Sequence, residues 1–168
     1  RGHKIGLHPS YYSVNANQVR AEAEVLRKVM KEEEINSSLI YSRMHYLRWQ
    51  WPFSAYALER AELFHDSTLG YADQPGFRCG TCIPYRMFDP VKNRELNIVQ
   101  HPLIIMDNTI SDSFYLNLGT SNEAYDLIKF FSNQCKKVNG NFSLLWHNCS
   151  LIDNQSKKFF EQILDLKN

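Results

Sequence analysis

Six ionisable side chains follow or end short apolar segments of the sequence, and together they could support metal-assisted acid–base chemistry. Neutral imidazoles combined with a carboxylate suit Zn²⁺ and related divalent metals. Such a metal polarises a carbonyl group and lowers the pKa of a bound water molecule, while a further carboxylate or histidine can act as base and acid. The six residues are His8, Arg43, His45, Asp66, Asp107 and His147.

The elements that must position these residues alternate between strand-like and helical patterns. Apolar strand-like segments cover residues 5–8, 38–42, 64–68, 103–107 and 142–147. Helical patterns cover 18–32 behind an Asn17 cap, 55–63 after Pro52, 122–137 and 155–166. In the first of these, Val19, Ala23, Leu26 and Met30 share one apolar face. This alternation predicts an α/β fold with a mainly parallel sheet covered by helices. Ligands bind at the carboxyl ends of the strands in such folds, which is where the six residues fall.

A packing role is the main alternative for each of these residues taken singly, because a lone histidine on an apolar strand is more often a core residue than a ligand. The convergence of three histidines, an arginine and two aspartates on one rim therefore carries the hypothesis. We interpret the remaining histidines, His3, His65 and His101, as solvated or structural residues.

Composition excludes several functional classes. The 168 residues carry a net charge of +1 and no Lys/Arg block, so a basic nucleic-acid-binding surface is not expected. The charge run 31–34 is typical of the solvated end of a helix. No apolar stretch approaches the length of a membrane span. Because the sequence starts at Arg1 on a strand-like segment, we expect it to be a piece of a longer chain.

Four cysteines are too few for a disulfide scaffold in a chain of this length. Cys79 and Cys82 match the spacing of a redox C-x-x-C motif, but the residues that follow them indicate a strand or loop rather than the helix that lowers a thiol pKa. We therefore interpret the cysteines as structural thiols, with a local disulfide or a redox or metal role as alternatives.

Aromatic residues cluster in two places, the loop 71–85 and a group made of Tyr46, Trp49, Trp51 and Tyr56. Sugar rings stack on aromatic faces, so a carbohydrate groove is one interpretation. The other is that these side chains cover the sheet and the helix seam, since aromatic side chains bury large areas.

Five short blocks of the sequence resemble a bacterial branch of the polysaccharide deacetylase superfamily. The blocks are Gly6-Leu-His-Pro-Ser-Tyr, Ser42-Arg-Met-His-Tyr-Leu-Arg, His65-Asp-Ser-Thr-Leu-Gly-Tyr-Ala, Gly76-Phe-Arg-Cys-Gly-Thr and Met106-Asp. The resemblance covers residues 4–110 strongly and the remainder weakly. It implies a distorted or incomplete (β/α) barrel, one domain over residues 1–168 that lacks its N-terminal strand or strands. It also implies metal-dependent removal of an acetyl group from an N-acetylated sugar.

The resemblance also implies roles for individual residues. The family's metal site joins an aspartate to two histidines of one H-x-x-x-H motif, and His8 matches the first of them. Tyr12 stands where the second would be, so we expect His45 to replace it. Arg43 resembles the groove arginine that orients the catalytic carboxylate, and His147 resembles the late-motif histidine that acts as general acid.

Two aspartates complete the expected catalytic set. Asp66 and Asp107 would shape the groove or hold the histidines from behind. The family's first motif, with its base and ligand aspartates, has no counterpart, since no aspartate precedes Asp66. Either an upstream segment supplies both carboxylates or this branch has lost the usual reaction. The expected substrate-binding residues are Tyr46, Trp49, Arg78 and Trp146.

The leading hypothesis is a zinc-type hydrolase, with Co, Ni or Mn as alternative metals, that deacetylates amino sugars of bacterial cell-surface polysaccharide. The alternative is a non-catalytic carbohydrate-binding barrel that keeps the rim but not the reaction. A thiol-based redox protein is a third hypothesis. The location would be the cytoplasm or the cell envelope.

Overall fold

A computed structural model describes residues 3–13, 15–36 and 40–167. The chain divides into two compact units: one contains the described residues up to Leu69 together with Pro84–His101, and the other contains Gly70–Ile83 and the described residues from Pro102 onward. Five helices and seven short strands are found in this part of the chain. The expectation of a mixed α/β fold with a mainly parallel sheet is confirmed, whereas closure into a barrel stays a prediction.

The first unit is built on a five-stranded sheet. In chain order its elements are β1 (Gly6–Leu7), α1 (Ala16–Glu32), β2 (Tyr41–Ser42), a 3₁₀ turn (His45–Leu47), α2 (Phe53–Arg60), β3 (His65–Asp66), β4 (Tyr85–Asp89) and β5 (Arg94–Gln100). The strand order is β1-β2-β3-β5-β4, and all neighbours are parallel except the β4–β5 pair.

The two faces of this sheet differ because side chains alternate along each strand. Ile40, Leu96 and Ile98 are buried in one core with residues of α1 and α2. The opposite face carries a row in which Tyr41 pairs with His65 and His65 with Val99, and all three are only partly buried.

Helix α1 has the predicted apolar face but a different start. Val19, Ala23 and Met30 are buried in the core and Leu26 packs against it. The predicted cap at Asn17 is wrong: the Asn15 side chain accepts hydrogen bonds from the amides of residues 17 and 18, so the helix starts two residues earlier. An extended residue with a short polar side chain satisfies these amides best.

The second unit contains β6 (Ile105–Met106), α3 (Asp107–Ser111), α4 (Asn122–Lys137), β7 (Leu144–Leu145), a 3₁₀ turn (Asn148–Ser150), α5 (Asn154–Leu164) and a 3₁₀ turn (Asp165–Lys167). Strands β6 and β7 form a parallel pair. Around them Ile104, Ile128 and Phe159 form part of a second buried core.

Gly140 follows the end of α4, and close packing rather than its backbone conformation requires a glycine there. The left-handed residue is Asn139, with φ of 51°, and the Gly140 amide donates to the Cys135 carbonyl at 2.9 Å. A Cβ at Gly140 would overlap the Cys82 sulfur. The Cys82 and Cys135 thiols are buried, and burial together with the hydrogen bond to Cys82 raises the pKa of Cys135 to about 12.

Several predicted boundaries need correction. Predicted helix 55–63 is α2 at Phe53–Arg60, and predicted helix 155–166 is α5 at Asn154–Leu164. The predicted strands are shorter, with two paired residues each, and residues 38 and 39 of one of them lie outside the described residues. The main omission is the antiparallel β4–β5 pair. Its first strand lies at the end of the Gly- and Pro-rich stretch 70–89, where the residues after Cys82 indicated only a strand or loop.

Candidate active site

Two histidines meet beyond the ends of β1 and β2. The His8 Nδ1 atom lies 2.7 Å from the Arg43 carbonyl oxygen. Because a carbonyl oxygen only accepts, Nδ1 must carry the proton and the neutral ring must have its lone pair on Nε2. That Nε2 lies 2.9 Å from Nδ1 of His45. With Nε2 of His8 as the acceptor, His45 Nδ1 must donate, so a hydrogen bond joins the two rings. The His8 ring is held in the tautomer in which a histidine binds a metal through Nε2.

The His8–His45 pair fits part of a zinc site. Catalytic zinc usually has three protein ligands and one water molecule. The pair would provide two nitrogen ligands if a metal took the place of the proton between the two rings. A hydrogen bond from the remaining ring nitrogen to a backbone carbonyl is common for metal-bound histidine, and His8 has one. Within the described ranges of the chain, no group of three or more His, Cys, Asp or Glu residues is arranged to hold a metal ion.

The loop after His8 is fixed by a carboxylate from helix α1. Glu22 accepts hydrogen bonds from the Ser10 amide at 2.8 Å, the Ser10 hydroxyl at 2.6 Å and the Ser13 hydroxyl at 2.5 Å. Burial opposes ionisation of Glu22, but these hydrogen bonds outweigh it and lower the Glu22 pKa. Glu22 thus anchors the segment between His8 and the tyrosines that follow it.

Three exposed tyrosines lie beside the histidine pair, and we call Tyr11, Tyr12 and Tyr46 the tyrosine patch. Their exposed fractions are 48%, 78% and 75% in that order, so all three residues are accessible to solvent. The Tyr11 ring lies 5.6 Å from that of Tyr46, and the Tyr46 ring lies 4.8 Å from that of His45. With Arg48 these residues line one open depression.

The backbone at the tyrosine patch is strained. Tyr46 and Leu47 have φ values of 56° and 52°, in the left-handed region that costs a residue with a side chain about 1–2 kcal/mol. Conformations of this kind persist where the surrounding structure holds them, and they cluster at binding sites. Arg48 helps to hold this turn, since its Nη1 donates to the Tyr11 carbonyl at 2.6 Å and its guanidinium lies 4.9 Å from the centre of the Tyr11 ring.

Asp66 and Arg43 support the strand ends. Asp66 is fully buried and accepts hydrogen bonds from the Thr68 amide, the Thr68 hydroxyl and the Ser42 hydroxyl at 2.7–3.0 Å. Burial raises the Asp66 pKa, and those hydrogen bonds act against it. Burial also lowers the pKa of Arg43, whose Nε donates to the Ser67 carbonyl at 3.1 Å. Asp66 therefore connects β2 to β3.

In the second unit, Asp107 and His147 form a carboxylate–histidine dyad. The Asp107 side chain is 1% exposed and the His147 side chain 37% exposed. The Asp107 carboxylate lies 2.7 Å from His147 Nδ1, and it accepts from the His147 amide at 2.8 Å and the Ser150 hydroxyl at 2.5 Å. The buried carboxylate thus fixes the ring with Nδ1 protonated, and Nε2 then has the lone pair that a general base uses.

The structure brings the predicted site residues together in two groups, one in each unit. His8, Arg43 and His45 are in direct contact in the first unit, with Asp66 beside Arg43. Asp107 and His147 are in direct contact in the second.

The predicted substrate-binding residues lie in different surroundings. Trp49 packs partly against the first core and also lines a depression beside His45. Arg78 donates to the Gly70 carbonyl at 2.9 Å. The Trp146 ring lies 5.0 Å from that of Phe160 in the second core. The Trp146 indole nitrogen is buried with no hydrogen-bond partner among the described residues.

Sequence reasoning missed a second histidine pair. His65 Nδ1 lies 3.0 Å from His101 Nε2, although both residues were interpreted as solvated or structural. The sequence signal that could have found them is the alternation of polar and apolar residues over 95–98. This alternation predicts a strand here, with His101 just after it.

No family model, curated protein or solved structure matches the chain. No helix in the described part of the chain combines the length and apolar character needed to span a bilayer.

Proposed function

We propose that the chain is a metal-dependent hydrolase of the polysaccharide deacetylase type, which releases acetate from N-acetylated amino sugars. The observation that supports this most is the His8–His45 pair, whose ring nitrogens lie 2.9 Å apart. The Arg43 carbonyl fixes the His8 tautomer, and a metal ligand needs this arrangement. The finer assignment to the deacetylase superfamily rests on the five sequence blocks.

His8 and His45 would hold a zinc ion or a related divalent metal. Such an ion, when bound, polarises the amide carbonyl of the substrate and makes a water molecule more acidic. The pair leaves at least one protein ligand to come from outside it, because catalytic zinc usually has three. Arg43 would act on the site through its backbone carbonyl, as a positioning residue for His8.

His147 would move the proton. With Nδ1–H held by Asp107, the His147 ring has its lone pair on Nε2, the atom at which it could take up a proton and give it away again. Hydrolysis of the amide consumes one water molecule and gives acetate and the protonated amine, and the family resemblance assigns to His147 the proton transfer to the leaving nitrogen. The buried Asp107 carboxylate would stabilise the transient imidazolium, as carboxylates do in other histidine-based sites.

The tyrosine patch would bind the sugar. Its exposed rings and the neighbouring Arg48 provide stacking faces and hydrogen-bond donors beside the histidine pair. A second candidate function, a non-catalytic carbohydrate-binding protein, relies on the same patch. In that case the patch would bind sugar without any need for the metal ligands.

The test is acetate release from N-acetylated chito-oligosaccharides by the zinc-loaded protein, with sugar binding measured in parallel. We expect activity that is lost on chelation and in His8→Ala and His147→Gln, and retained in Lys28→Gln, which removes an exposed charge on α1. Sugar binding that survives chelation and His8→Ala, without acetate release, would favour the binding protein. Absence of both metal binding and acetate release would refute the hydrolase.

A further inference from the structure

A polar cluster on the partly exposed face of the five-stranded sheet has no part in the proposed reaction. It contains Lys4, Tyr41, His65 and His101, and we call it the sheet-face cluster. Lys4 Nζ donates to the Tyr41 hydroxyl at 2.6 Å. The Tyr41 ring lies 4.9 Å from that of His65 and 5.5 Å from that of His101. The four side chains therefore form one continuous group of contacts.

The sheet topology explains why these residues meet. Tyr41 and His65 are register partners on β2 and β3, and His65 is the partner of Val99 on β5. His101 lies two residues beyond Val99, so its side chain is on the same face. Lys4 precedes β1 by two residues, which places it on the face of Gly6, the register partner of Tyr41.

The charges that act on the two imidazoles are positive. Burial is the main cause of the lowered His65 pKa, followed by the charges of Lys4 and Arg86. Burial, His65 and Lys4 lower the His101 pKa. Arg86 has a carboxylate partner, Glu95, but at 3.7 Å and on an exposed surface, where ion pairs contribute little. The surroundings of the pair thus disfavour a further cation and favour an anion.

We propose that the sheet-face cluster is a binding site for a phosphate group, either inorganic phosphate or the phosphoryl group of a larger ligand. The Lys4 ammonium has two further protons beyond the one given to Tyr41. The Tyr41 hydroxyl accepts from Lys4, so its own proton is directed elsewhere. Imidazole N–H groups add further donors, and charge-assisted hydrogen bonds of this kind are the strong ones.

His65 Nδ1 and His101 Nε2 lie 3.0 Å apart, a distance that also suits a divalent metal. A bound metal and a bound phosphate would have opposite electrostatic effects on this cluster. A bound metal would have to lie close to the Lys4 ammonium, and no carboxylate side chain of the described residues bonds to either histidine to offset the repulsion. A bound phosphate would be attracted by Lys4 and Arg86 and would raise the pKa of both histidines, because a nearby negative charge favours the imidazolium.

The experiment is an NMR titration of the histidine ring signals with inorganic phosphate at constant ionic strength, with chloride as the balancing salt. We expect His65 and His101 to shift and His147 not to shift, and the pKa values of His65 and His101 to rise in phosphate. Lys4→Gln should weaken phosphate binding about tenfold, the loss of one charge-assisted contact. Lys28→Gln, the same change on α1, should leave the affinity unchanged.

Lys4 is exposed, so Lys4→Gln tests the site without disturbing the core, and His65→Gln adds a second variant if its circular dichroism is native. Equal phosphate affinity in wild type and Lys4→Gln would overturn the proposal. So would a response of His65 and His101 to Zn²⁺ alone with none to phosphate. Neither outcome bears on the hydrolase proposal, since the cluster contains neither His8 nor His45.

Discussion

Replacing Asp107 by asparagine should uncouple the proton-transfer histidine from its partner. The Asp107 carboxylate meets four donors: the Asn108 amide and the His147 ring at Oδ1, and the His147 amide and the Ser150 hydroxyl at Oδ2. An asparagine side chain has the same shape but one acceptor oxygen and one NH₂ group. If its oxygen keeps the His147 amide and the Ser150 hydroxyl, its NH₂ faces the Asn108 amide and His147 Nδ1, and the latter must then lose its proton. The His147 ring should therefore change tautomer, with the proton moving to Nε2.

The free-energy cost follows from the burial of the site. A hydrogen bond to a charged group contributes about 1.5–3 kcal/mol, and a neutral one about 1 kcal/mol. Asp107→Asn replaces charged hydrogen bonds by neutral ones at a position that is 1% exposed. We therefore expect the free energy of unfolding to fall by about 1–3 kcal/mol. Acetate release should fall about 100-fold or more, as expected when acid–base catalysis is lost.

Two measurements check this prediction. Urea denaturation gives the stability change, and long-range ¹H–¹⁵N correlation spectra show which His147 nitrogen carries the proton. Asp126→Asn is the matched control, because Asp126 is exposed on α4 and such a surface change should stay within about 0.5 kcal/mol. An unchanged His147 tautomer in Asp107→Asn, or equal stability losses in the two variants, would refute the role assigned to Asp107.

Three further predictions concern stability. The lowered Glu22 pKa contributes stability that is present above 4.5 and lost as pH falls through the folded-state pKa; Glu22→Gln should remove this acid-sensitive component, as urea midpoints measured between neutral pH and acid would show. Tyr46→Gly should leave the free energy of unfolding within about 1 kcal/mol of the wild-type value, because relief of the left-handed strain offsets the added entropy of the unfolded chain. The same change should weaken oligosaccharide binding measured by calorimetry. A large stability loss with full sugar affinity would contradict the role of the patch. Gly140→Ala should cost about 1–3 kcal/mol through overlap with Cys82, and the loss should shrink in a Cys82→Ala background; an undiminished loss there would point to another cause.

Local signals predicted the helices best. The bounds of α4 agree with the prediction, because Ser121 caps its first turn and an apolar face runs through it. The face of α1 was also predicted, since burial follows the helical period. Asn17 was the wrong cap because two candidate residues stand close together, Asn15 and Asn17. Which of the two residues is extended, and can therefore cap the helix, is seen only in the structure.

The strands were predicted less well, for two physical reasons. A strand at the edge of a sheet is stabilised by its neighbour rather than by a long apolar run, so β4 lacks a strong sequence signal. In strand β5, buried and more exposed side chains alternate, with Leu96, Ile98 and Gln100 buried. One of these buried residues is polar, so the sequence has no continuous apolar run at β5. Strand order is also not visible in the sequence, and it is the adjacency of β3 and β5 that brings His65 to His101.

Some features of the candidate site could be predicted from the sequence, and others could not. The placement of His8, His45 and His147 after strands could be predicted from the general position of sites in parallel sheets. The hydrogen bond from His8 to the Arg43 carbonyl could not, because it depends on the β1–β2 register. The tyrosine patch depends on the left-handed turn at Tyr46. This turn contains no glycine, the residue from which a left-handed conformation is usually predicted.

The most direct test of the central claim is a Co²⁺ titration of the metal-free protein, followed by the visible absorption of the bound ion. The account predicts one site, with affinity reduced at least about 100-fold in His8→Ala and in His45→Ala, since even the loss of a hydrogen bond to a metal ligand can cost that much. His147→Gln should bind Co²⁺ like the wild type. Wild-type affinity in His8→Ala, or no Co²⁺ binding by the wild-type protein, would contradict the assignment of this pair as the metal site.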